Sequence, residues 1–100
     1  VEVIWLGGMD PSKTPLDSPF AEPIRQAILA AQGEAPLLVP AMGGSLPNYV
    51  FTKTLGKPAF VVPYANADEA NHAPNENLEI ERFFMGIKTG VAMLSYLGAK

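Results

Sequence analysis

Three short apolar runs alternate along the chain with three segments whose apolar residues recur at helical spacing. Residues 1–6, VEVIWL, are rich in β-branched and aromatic side chains and stop at Gly7-Gly8, which predicts a strand with Glu2 facing outward. Residues 9–17 carry two prolines and no period, so they read as a connector. From Ser18 the pattern becomes helical: Phe20, Ile24, Ala27, Ile28 and Ala31 share one face, and Gly33 supplies the stop. Ser18-Pro19 makes a cap followed by proline at the first helical position. Pro23 lacks an amide hydrogen, so either the first turn is irregular or the regular helix starts at Pro23.

Residues 36–40, PLLVP, predict a second strand bracketed by prolines. A second helix is expected from Ser45 or Leu46, with Pro47 in its first turn, Val50, Phe51 and Leu55 inward, and Gly56 at its end. Residues 59–62, AFVV, are apolar on both faces, as in a strand covered on both sides. Residues 63–77 form a long polar loop, a length that is uncommon within a domain and usually functional or disordered. Ile80, Phe83, Phe84, Ile87, Val91 and Leu94 then trace one stripe on a helix from about Leu78 to Leu97, closed by Gly98. The order is β-α-β-α-β-α, which predicts an α/β layered sheet with helices on its faces.

Composition narrows the function classes. Apolar residues make up 48% and charged residues 17% of the 100 positions, a balance that suits one globular domain and excludes extended disorder. Seven basic against ten acidic residues give a net charge of −3, which argues against nucleic-acid or anionic-membrane partners. No stretch approaches the roughly 18–20 apolar residues of a membrane span. The absence of cysteine excludes disulfides and thiolate chemistry, and the cytoplasm is the default compartment. The first residues have neither a basic start nor a small-residue cleavage site. Opening on Val1 within an apolar run, the chain reads as trimmed from something longer.

Two places carry candidate chemistry, each following a predicted strand, where open α/β sheets bind ligands. At Gly43-Gly44-Ser45 two missing side chains let a ligand approach backbone amides, and the expected helix would aim its positive end at the same spot. That suits a carboxylate or an oxyanion; the plainer alternative is a tight turn with Ser45 as a cap. The second place is the 63–77 loop, which holds the chain's single histidine, His72, among Asp68, Glu69 and Glu76. Pro74 disfavours helical geometry at Ala73, so Glu69, His72 and Glu76 do not form a helical ligand face. For Asp68 and Glu69 the favoured reading is a solvated acidic loop. A catalytic zinc needs about three protein ligands, more than this chain offers by itself. A Ser-His-acid triad lacks its GxSxG elbow, and GGS followed by Leu46-Pro47 is not a phosphate-binding P-loop.

GGSLPNYVF at 43–51, LGKPAFVVPYA at 55–65 and NHAPNENL at 71–78, leading into a long helix, together resemble the C-terminal part of the M20 family of metallopeptidases. The family includes carnosinase-like dipeptidases, acetylornithine deacetylase and succinyl-diaminopimelate desuccinylase, and the wording of the loop is nearest the dipeptidase-like branch. The resemblance implies that residues 1–8 are the last strand of a lid or dimerisation domain. Residues 9–100 would be the C-terminal part of a zinc-peptidase-like catalytic domain. It implies a two-zinc amidohydrolase that cleaves dipeptides or N-acyl amino acids with a metal-activated water, homodimeric in the parent protein. His72 matches the family's last metal ligand, Gly43, Gly44 and Ser45 match a turn that contacts substrate, and Glu76 matches an acid that orients the loop or His72. The remaining metal ligands and the general base lie upstream in that family, so the zinc site is incomplete here, no catalytic residue is assigned, and the isolated chain is expected to be inactive. Two other readings stand beside it: a non-catalytic α/β anion-binding module, and an interaction domain whose terminal helix docks a partner.

Overall fold

The computed structural model describes residues 1–99; the last position of the expected 9–100 span lies outside them. Two helices and one short turn are the regular elements. Helix α1 spans Ala21–Gln32 and starts earlier than Pro23. Pro23 falls in the first turn, where an amide hydrogen has no partner within the helix, so its loss there breaks nothing. The first turn closes through the Ile24 amide to the Phe20 carbonyl at 3.2 Å. Ser18 does not cap α1: Phe20 holds that position without a side-chain bond. Gly33 ends the helix as the spacing predicts, in the left-handed conformation (φ 80°), its amide donating to the Leu29 carbonyl at 2.8 Å.

Helix α2 spans Ile80–Gly98 and packs on α1. Ala27 of α1 and Thr89 of α2 are both 0% exposed, and Ile28 is buried beside them. The Thr89 hydroxyl donates to the Met85 carbonyl at 2.8 Å and accepts from Gln32 Nε2 at 3.1 Å. One turn before Thr89, the Tyr64 ring lies against Gly86 so closely that a Cβ there would sit 3.2 Å from its Cγ. Ile80, Phe83, Phe84, Ile87, Val91 and Leu94, the stripe that periodicity marks, are exposed, Leu94 by 77%. Phe83 and Phe84 meet edge to face with centroids 5.7 Å apart.

The expected α/β layered sheet is not formed: among the described residues there is no strand. A strand exists only by pairing its backbone with another, and composition alone cannot supply the partner. Residues 1–6, 36–40 and 59–62 are without regular structure, and Trp5 and Leu37 are among their exposed side chains. At Ala59 the reason is visible. Its amide donates to the Thr14 hydroxyl at 2.9 Å, and that hydroxyl donates to its carbonyl at 2.9 Å, so a side chain takes both groups a ladder would use. The expected middle helix is reduced to a π-helical turn, Val50–Thr54, closed by the Leu55 amide to the Val50 carbonyl at 3.0 Å. Pro47 restrains Leu46 from helical geometry, and β-branched Val50, Thr52 and Thr54 weaken the helix that follows. Gly56, with φ 62°, ends it.

The chain divides into two compact units. The first joins Val1–Ser18 with Val39–Phe60, tied by Thr14 to Ala59, by Ser12 Oγ to Thr52 Oγ1 at 2.8 Å, and by the Lys53–Asp10 ion pair at 3.0 Å. The second joins Pro19–Leu38 with the chain from Val61 onward and contains α1 and α2. Among the described residues, no helix is long and apolar enough to cross a membrane.

Candidate functional site

Gly43, Gly44 and Ser45 belong to the first unit, His72 and Glu76 to the second. The glycine turn is open and exposed. Gly44 has φ 151°, a conformation that favours glycine, and no heavy atom lies within 4 Å of where its Cβ would stand. Ser45 does not start a helix: the π-helical turn begins at Val50, and Tyr49 is its cap without a side-chain bond. The helix dipole that would strengthen this turn as an anion site is therefore not there, since five residues do not make a helix of useful length.

The His72 loop is built differently. Asn66 is only 5% exposed, and its side chain spends every strong bonding group on the loop itself. Its Nδ2 donates to Asp68 Oδ1 at 2.7 Å and to Asn77 Oδ1 at 2.9 Å, while its Oδ1 accepts from the Glu79 amide at 3.0 Å. Asn77 extends the network, its Nδ2 donating to the carbonyls of Asp68 and Asn75 at 3.2 and 3.1 Å. Backbone bonds from Glu69 to Asn66, from Ala73 to Ala70 and from Asn77 to Glu69 complete the closure. The start of the loop and its return into α2 are thus held to the same amide side chain.

Inside this closure the backbone turns sharply. Ala70, His72 and Asn75 take positive φ, at 53°, 60° and 65°. Each such non-glycine residue costs about 1–2 kcal/mol, least for asparagine, and persists only where surrounding bonds enforce it. His72 is exposed on the closed loop. Glu76 is exposed too and enters no hydrogen bond or ion pair among the described residues. The bond from Asn66 holds the Asp68 carboxyl below its ordinary value of 3.8, because the ionised form is the better acceptor. Asn66 and Asn77 are not marked by the pattern of apolar residues. The signal for them was the density of asparagine at 66, 71, 75 and 77, a residue that bonds its own backbone and tolerates left-handed turns.

As a zinc site the donor set is insufficient. Among the described residues, no three His, Asp or Glu side chains come together to hold a metal ion. One imidazole alone does not meet the roughly three protein ligands that zinc needs. The shallow grooves of the helix pair, lined among others by Glu22, Gln26 and Tyr96 or by Ala30, Ile87 and Lys88, include none of the candidate residues. No protein-family model, curated protein or solved structure matches the chain.

Proposed function

We propose that the chain is the C-terminal segment of a two-zinc amidohydrolase of M20 type, acting on dipeptides or N-acyl amino acids. The observation that carries the reading is the pairing of GGS at 43–45 with HAPNE at 72–76 in one short chain. Its support from geometry is that His72, exposed on a loop closed at its base, is available to a partner outside the loop. His72 contributes one metal donor in this reading, and the others belong to a part of the parent protein beyond these residues. Gly43, Gly44 and Ser45 face substrate, with Gly44 leaving room for close approach to the backbone. Zinc and a homodimeric, cytoplasmic parent go with this reading.

Two measurements test the proposal. The 100-residue chain, supplied with zinc, shows no hydrolysis of dipeptides or N-acyl amino acids above buffer; turnover would refute the assignment of the missing donors to another part. The full-length gene product carries about two metals per chain, and loses metal on His72→Ala. A His72→Ala form that keeps its full metal content ends the hydrolase reading.

A further inference from the structure

We propose that Asn66 is the positioning residue of the His72 loop, fixing the left-handed backbone from which the imidazole is presented. Three observations converge on it. Asn66 is the one buried polar side chain of the loop, with 5% exposure, while His72 itself is exposed. Its amide bridges the loop's beginning to its end, reaching Asp68, Asn77 and the Glu79 amide within 3.0 Å. Between those anchor points lie the three positive-φ residues, Ala70, His72 and Asn75.

The chemistry explains why asparagine is needed. Two acceptors, Asp68 Oδ1 and Asn77 Oδ1, face its nitrogen, and one donor, the Glu79 amide, faces its oxygen. Only a neutral carboxamide presents two donors and an acceptor at that spacing. Aspartate would keep the acceptor for Glu79 but lose both donors and place its charge against the Asp68 carboxylate. Alanine leaves the Glu79 amide without its partner near the start of α2 and frees the loop to relax to ordinary φ. The side-chain bonds of Asn66 all go to the loop and to the Glu79 amide, so it acts through the loop. Its purpose rests on the reading of His72 as a metal donor.

The test is nuclear magnetic resonance on the 100-residue chain. A residue at positive φ brings its amide hydrogen close to its own Hα, so wild-type Ala70, His72 and Asn75 give strong intraresidue contacts between the two. In Asn66→Ala these weaken to the level of ordinary residues. Protection from hydrogen exchange at the Glu69, Asn77 and Glu79 amides falls about tenfold or more, while amides of α1 and α2 around Ala27 and Thr89 keep theirs. Asn66→Asp recovers protection at Glu79 alone. Asn77→Ala, which leaves the Glu79 bond in place, weakens the His72 signal in the same direction and serves if Asn66→Ala does not fold. An unchanged His72 signal in both alanine variants overturns the proposal, as does a loss of protection spread evenly over both helices. Failure of the donor reading is separate: metal retained by His72→Ala in the full-length protein removes the purpose assigned to Asn66 without altering these spectra.

Discussion

The two candidate segments share exposure and differ in everything that holds them. At Gly43-Gly44-Ser45 the turn keeps its shape through glycine's conformational freedom, with Gly44 at φ 151° and open space around it. At 66–79 the shape is imposed by side chains, against the preference of Ala70, His72 and Asn75 for ordinary backbone. A turn whose glycines carry no side chain leaves its backbone open to approach. A loop shaped by a buried amide presents one geometry and stores strain to do so. The contrast is between a turn that needs glycine and a loop that needs asparagine.

The largest effect expected from breaking this contrast is at Asn66. Asn66→Ala strands the Glu79 amide and removes three side-chain bonds, costing the closed loop about 1–3 kcal/mol. Limited proteolysis then cuts within 66–79 faster than in wild type, while the rate within 41–47 is unchanged; equal acceleration at both would erase the distinction. Gly44→Ala comes next. Space is free, so the cost is backbone strain alone, about 1 kcal/mol in chemical denaturation, whereas Ser45→Ala, with no cap to lose, stays within about 0.5 kcal/mol. A Ser45→Ala loss as large as that of Gly44→Ala would mean that the serine holds the turn after all.

The smallest effect is on pH dependence. Asp68 has its pKa lowered in the folded loop by the Asn66 bond, so the ionised carboxylate is the form the fold favours. Its contribution is therefore present above the ordinary value of 3.8 and is lost as pH falls through the lower, folded value. Amide exchange at Glu69 and Asn77, corrected for intrinsic rates, is expected to quicken below about pH 4 in wild type. Asp68→Asn removes that dependence; if it persists, another group governs it. Glu22 is also lowered, by exposed bonds from Arg25 and Gln26 within α1, and serves as a control that leaves the loop untouched.

Much of the helical content was legible in the residues. Gly33 marked the end of α1, and the 3.6-residue period of residues 80–94 located α2 to within two residues at its start. What the period did not reveal was which face of α2 meets α1. The bulky stripe stays exposed, while the fully buried side chains of the pair are Ala27 and Thr89, and the Tyr64 ring lies against Gly86. The density of asparagine marked the loop but not which asparagine closes it, since Asn66 stands out only where the chain returns to it eleven positions later at Asn77.

Local chemistry, acting over a few bonds, belongs to the sequence by itself: where proline and glycine end elements, where a helix repeats, where His72 sits among carboxylates. Whether an apolar run becomes a strand, which helix face is covered, and which amide closes a loop are decided by partners distant along the chain. At residues 1–6, 36–40 and 59–62 no backbone arrives to pair, and Thr14 takes the groups of Ala59 instead. Pairing is a property of two segments, and no segment carries it alone.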